Sequence, residues 1–197
     1  VGSEMCIRDR AKLVDVARQL FAKMGVENTT MNDIALASKK GRRTLYTYFK
    51  SKEDIYMAVV ESELDMLSDM MKRVAEKNIS PDEKMIEMIY TRLDAVKEVV
   101  FRNGTLRANF FRDIWRVEKV RKRFDAKEIL LFKDVLREGV EKGVFRIDDI
   151  DMTAELVHYC VKGIEVPYIR GHIGAKLDDE TRDKYVVNLV FGALHRT

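Results

Sequence analysis

The chain is short of residues that interrupt helices: 2 prolines and 10 glycines in 197 positions. That scarcity excludes a collagen-like or Pro/Gly-rich disordered protein and leaves room for long helices. Cysteine is almost absent, at 2 residues, so no disulfide framework is available. Cys160 reads as a small buried hydrophobe in a reducing compartment. No apolar run is long enough to cross a membrane, and no secretory leader is visible. There is no Gly-rich phosphate loop and no nucleophile elbow. His158, His172 and His195 lack metal-ligand spacing with one another or with Cys160. Enzymatic chemistry, a cofactor and a metal are therefore not expected.

What is present is a helical composition, rich in Glu, Lys, Leu, Met and Ala, with 46% hydrophobic and 35% charged residues. The net charge is only +3 but unevenly spread. Residues 1–52 hold 11 Lys/Arg against 5 Asp/Glu, or +6, and the remainder holds 25 against 28, or −3. A basic head on a slightly acidic body suits a protein whose one end meets phosphates. The opening VGSEMCIRDR resembles the translation of a transposase sequencing-library adapter, so residues 1–10 and Cys6 are set aside from fold reasoning.

Capping signals divide the rest into about nine helices. The first runs from about Arg10 to Met24 and stops at Gly25. Two short helices follow, and then a long one from about Lys52 to Lys77. Ser80-Pro81 opens a fifth helix that ends before Asn103-Gly104. A short sixth is expected over about 105–115 and a seventh over about 118–142, ended by Gly143. An eighth runs from about 151 to 170, capped by the Asp148, Asp149 and Asp151 turn, with Pro167 expected to kink it near Gly163. A ninth, capped by Asp178 or Asp179, ends near His195.

Residues 29–52, TTMNDIALASKKGRRTLYTYFKSK, are the most informative stretch. The Thr30 hydroxyl is placed to cap the Asp33 N–H, and Asp33 to answer it. Ile34 and Ala35 give this short helix a buried face. Lys39, Lys40 and Gly41 form a turn. In the next helix, Leu45 and Phe49 stand i, i+4 and both point inward. The opposite face carries Arg42, Arg43, Thr44 and Tyr46. Ser51 caps the following helix, and Glu53 and Asp54 lie in its first turn. Lys52 goes against that dipole unless a phosphate lies near. Helix, turn and basic helix together give the layout of a helix-turn-helix.

The run from Leu13 to Tyr56 resembles the DNA-binding domain of the TetR/AcrR family of bacterial regulators. The Ala17/Leu20/Phe21 face, Gly25, the Thr30 cap, Ile34-Ala35, Leu45-Tyr46, Phe49 and Ser51-Lys52 carry the resemblance by their joint spacing. It departs at one place: the family usually has Gly-Val-Ser where this chain has Lys39-Lys40-Gly41. Either the glycine function moves to Gly41 or the turn is reshaped. The resemblance implies an all-α protein with a three-helix DNA-binding domain over 11–56 (helix-turn-helix about 30–49) and a ligand-sensing and dimerisation domain over 57–197.

DNA contacts are expected from Thr30, Tyr46, Tyr48 and Lys52 to phosphates, and from Lys39, Lys40, Arg42, Arg43 and Thr44 to the groove. For each basic residue a solvated surface charge is the bland alternative. In the body, Met88, Tyr90, Phe110, Phe111, Trp115, Phe132, Tyr159 and Tyr168 read either as an ordinary core or as the lining of an apolar effector cavity. Arg107, Arg112 or His158 is placed to meet a polar group on such a ligand. Leu156, Cys160, Ile164, Val186, Leu189, Val190 and Leu194 are candidates for a dimer interface made by the last two helices, with Tyr159, Val161 and Tyr185 beside them. The expected partners are palindromic double-stranded DNA, a small-molecule effector and a second copy of the chain, with no membrane. The expected function is a cytoplasmic, ligand-responsive transcriptional repressor. The competing readings are an activator, or a helical interaction protein with a vestigial head.

Overall fold

The computed structural model describes residues 2–102, 114–170, 172–173 and 178–192. These form eight helices and no strand: α1 Gly2–Met24, α2 Met31–Ala37, α3 Arg42–Tyr48, α4 Lys52–Ala75, α5 Pro81–Arg102, α6 Ile114–Glu141, α7 Ile150–Ile169 and α8 Asp179–Gly192. The all-α class holds, but the count of nine is not reached among the described residues. The short helix expected over 105–115 falls largely outside them, and α6 already begins at Ile114. At the other end of the chain, α1 starts eight residues before the expected Arg10, because nothing in residues 2–9 stops a helix from propagating toward its N-terminus.

The chain divides into two compact units, Val1–Asp65 with Val99–Lys122, and Met66–Glu98 with Arg123–Thr197. The boundary expected at residue 56 falls inside α4, which is continuous to Ala75.

In the first unit, α1 stops where the sequence requires it. Gly25 takes φ +85° and its N–H donates to Phe21 O at 3.0 Å. The Thr30/Asp33 capping box forms: Thr30 Oγ1 accepts from Asp33 N at 3.1 Å, and Thr30 N donates to Asp33 Oδ2 at 2.8 Å. The Thr30 hydroxyl and then its backbone N–H hold the Asp33 carboxyl below its ordinary range. Ser51 Oγ likewise caps Asp54 N at 3.2 Å. Leu13, Val14, Ala17, Phe21, Ile34, Ala35, Leu45, Phe49, Ile55 and Val59 make the core, with Phe21 edge-on to Tyr56 at 6.4 Å.

The turn between α2 and α3 keeps its left-handed residue although no glycine stands there. Lys39 takes φ +56°, while Gly41 sits at φ −65°, ψ 148°, which any residue adopts. The glycine function has therefore not moved to Gly41, and a lysine bears a strain of about 1 kcal/mol.

In the second unit, Glu83 reaches back to Ser80 at the start of α5, where Ser80 N and Oγ donate to Glu83 Oε2 at 3.0 and 2.7 Å. Asp149 caps α7 through Met152 N at 2.9 Å, and Asp178 caps α8 through Thr181 N at 2.8 Å. Helix α7 runs on through Pro167. Gly143, at φ +71°, follows the end of α6. Beneath that turn Gly139 leaves room for Phe145, which is 2% exposed; a Cβ there would lie 2.0 Å from the Phe145 ring.

Two substitutions test this description. Lys39→Gly removes the left-handed strain and raises stability by up to about 1 kcal/mol, read as a higher urea midpoint with unchanged slope. Gly139→Ala displaces Phe145 and destabilises by about 1–3 kcal/mol in the same experiment.

Candidate nucleic-acid interface

Helix α3 is seven residues long and carries no acid in its first turn. Leu45 is fully buried and Phe49, its C-cap, is 3% exposed. These two anchors fix the rotation of the helix. Arg42, Arg43 and Tyr46 are consequently exposed, with Tyr46 at 43%, and Thr44 is half-buried. The N-terminal turn therefore concentrates two guanidinium groups where the helix dipole is already positive, an arrangement that favours an anionic neighbour. Exposed Lys39 and Lys50 flank it on either side.

The other expected contacts are partly occupied. Thr30 Oγ1 donates to Asp33 Oδ2 at 2.7 Å, so a phosphate must compete for that hydrogen. Lys40, half-buried, pairs with Asp9 of α1 at 2.8 Å. Lys52 does not stand free at the start of α4. Its Nζ donates to Val26 O at 2.8 Å and Glu27 O at 3.2 Å, tying α4 to the turn after α1. Those carbonyls explain a cation at a helix N-terminus without a phosphate. Tyr48 turns toward α1; a hydrogen bond with Cys6, with burial adding to it, pushes its phenol up to about 12. Tyr48 is half-buried and packs beside the head core.

Among the described residues the first unit also holds an open cavity of about 460 Å³, lined by Arg10, Tyr48, Phe49, Lys50, Asp54, Met57, Ala58, Glu61 and Val120. None of Met88, Tyr90, Phe132, Tyr159 and Tyr168, the expected effector-lining residues whose side chains are described, lies on it. Met88, Phe132 and Tyr168 are buried and Tyr90 half-buried in the second unit. Tyr159 is corrected: it is 61% exposed, edge-on to the His158 ring, because α7 turns its buried stripe through Ala154, Val157, His158, Val161, Glu165 and Tyr168. Phe110 and Phe111, like Arg107 and Arg112, lie outside the described residues, as does the side chain of Trp115.

Cys160 is a second correction. It is exposed rather than buried, on the same outward stripe as Leu156. Ile164 is half-buried and Val161 is inside at 1%. On α8, Leu189 is 75% exposed; the side chains of Val186 and Val190 are outside the described residues, and so is Leu194. His158 is also not an isolated histidine: it is fully buried between carboxylates 30 and more residues away, a pairing that periodicity and motif spacing do not reveal.

A short basic helix, held by two apolar anchors behind a capped helix and a left-handed turn, defines a helix-turn-helix DNA-binding protein. Residues 13–59 match the family model described as bacterial regulatory proteins, tetR family. The chain is 28% identical over 154 residues to the HTH-type transcriptional repressor KstR2 of Mycolicibacterium smegmatis, covering 75% of this chain and 73% of that protein. Its fold is shared with a transcriptional regulator from Cytophaga hutchinsonii, at TM-score 0.75 and 22% identity over 93% of this chain and 97% of that one. The fold is also that of RolR, solved in complex with the ligand resorcinol, at TM-score 0.62 and 21% identity over 98% and 90%. Residues 13–59 are thus a DNA-binding head of the tetR-family type.

Tyr46→Phe is expected to weaken binding to operator DNA about 3- to 10-fold, the loss of one hydrogen bond to a phosphate, with sequence preference unchanged. Tyr48→Phe is expected to leave affinity within about twofold, since its ring packs on the head core. Gel-shift titration of both variants checks the pair.

Proposed function

We propose that the protein is a cytoplasmic transcriptional repressor that grips a palindromic operator as a homodimer and lets go when a small apolar or amphipathic effector enters the body unit. The observation that carries this is the orientation of α3, with Leu45 and Phe49 inward and Arg42, Arg43 and Tyr46 outward. Arg42 and Arg43 reach guanine edges in the major groove, and Tyr46 meets a phosphate. Lys39 and Lys50 add to the electrostatic footprint.

One seven-residue helix spans only a few base pairs, so two copies on a two-fold axis are needed for a specific site. The outward stripes of α7 and α8 supply a surface for that pairing. Met152, Leu156 and Tyr159 are 55%, 57% and 61% exposed, and Tyr185 and Leu189 are 67% and 75% exposed. An isolated chain has no reason to leave that much apolar surface in water. Repression is inferred from the kinship with KstR2, a repressor by name, and response to a small molecule from the kinship with RolR, solved with resorcinol. Buried Met88, Phe132 and Tyr168, with Tyr90, are the described candidates to yield to an effector. An effector that prefers a different packing of the body helices shifts the population, and α4, continuous from Lys52 to Ala75, carries the change to the head.

A salt titration of DNA affinity by fluorescence anisotropy tests this reading. A dimer neutralising about six to ten phosphates loses on the order of a thousandfold or more in affinity between about 50 and 200 mM salt. Leu156→Arg is expected to give a monomer in sedimentation and to lower operator affinity at least about tenfold. Absent or salt-independent DNA binding favours the interaction-protein reading instead.

A further inference from the structure

The second unit buries an ion cluster that DNA binding does not use. Arg92 of α5 is 1% exposed; its Nε lies 2.5 Å from Glu128 Oε1, and its Nη2 donates to Glu165 Oε2 at 3.0 Å. His158 of α7 is fully buried, with Nδ1 2.5 Å from Glu128 Oε2 and Nε2 3.9 Å from Asp125 Oδ1. Lys162 Nζ donates to the other Asp125 oxygen at 2.6 Å. Two atoms that face each other across this cluster, His158 Nε2 and Asp125 Oδ1, are buried with no hydrogen-bond partner. Leaving such atoms unpaired in a folded core is costly.

We infer that Asp125 Oδ1 and His158 Nε2, with Glu128 holding the imidazole from behind, form a binding site for one divalent transition-metal ion of the zinc, cobalt or nickel class. One donor atom from each of the three lies within 4.8 Å of the other two. Asp125 and Glu128 stand i, i+3 on α6 and so share a face, and His158 meets them from α7. A mixed imidazole and carboxylate donor set suits these ions. Donors about 2.0–2.2 Å from a tetrahedral ion stand about 3.4 Å apart, so the Nε2···Oδ1 pair closes by only a few tenths of an ångström. The supporting contacts are those of a metal site. Glu128 on Nδ1 fixes the tautomer that turns the Nε2 lone pair inward, and Lys162 and Arg92 orient the two carboxylates.

The Asp125 side chain, 13% exposed, gives an ion its way in. The site is independent of what the head binds.

Full-length protein, stripped with EDTA and desalted, is titrated with Co(II) while its visible d–d absorption is followed, and with Zn(II) by calorimetry. One ion per chain is expected, in the wild type and equally in the Cys6→Ser/Cys160→Ser variant. Affinity falls at least about tenfold in Asp125→Asn and in His158→Gln, with helix content checked by circular dichroism. Asp125→Asn sits at the edge of the cluster, and X-ray absorption of the wild type showing nitrogen and oxygen ligation decides the matter if His158→Gln does not fold. No cobalt spectrum and no zinc heat in folded protein overturns the site. Binding that persists unchanged in both variants overturns it as well. The cluster is then a buried ion-pair network that holds no metal. DNA binding measured in parallel keeps a failure of the metal site separate from a failure of the regulator reading.

Discussion

The insertion of Leu45 and Phe49 into the core of the N-terminal unit is the contact on which the rest depends. It fixes the rotation of a seven-residue helix too short to hold a conformation by itself. Once those two side chains are inside, Arg42, Arg43 and Tyr46 have nowhere to point but outward. The capping box at Thr30 and the left-handed Lys39 serve the same end by setting how α2 hands the chain to α3. The strain at Lys39 is small against the burial of Leu45 and Phe49, each worth about 1.5–3 kcal/mol, so the turn survives without its glycine.

Net charge alone gives a poor account of the basic head. Of the six Lys/Arg residues from Lys39 to Lys52 that might meet a duplex, two are already engaged. Lys40 is paired with Asp9, and Lys52 is clamped on two carbonyls. Lys52 then acts as a strut for α4, and the proposed function leaves the electrostatic part to the arginines of α3 with exposed Lys39 and Lys50. This division separates residues that shape the head from residues that meet its partner.

Local signals were legible in the sequence. The Thr30 box, the Ser80 start of α5, the Gly25 stop, the Asp149 cap and the inward Leu45 and Phe49 each depend on residues within a turn or two of one another, and each is found. What depended on distant partners was not legible. The Lys52 clamp spans 25 and 26 residues, and the pairing of Arg92 with Glu165 spans 73. Tyr159 and Cys160 read both as interior residues and as part of a dimer surface, and only the outward placement is found. Helix α7 is apolar on more than one side, so its pattern does not say which stripe faces the core, and buried His158 and Glu165 occupy positions that hydrophobicity alone assigns to the surface.

The most direct measurement is a footprint of the purified protein on DNA flanking its own gene at low ionic strength. The account predicts protection of one palindromic segment whose half-sites are centred about 34–36 Å apart, one helical turn of the duplex, and loss of that protection when Arg42 and Arg43 are both alanine. Protection that survives the double substitution, or none at all in the wild type, contradicts it.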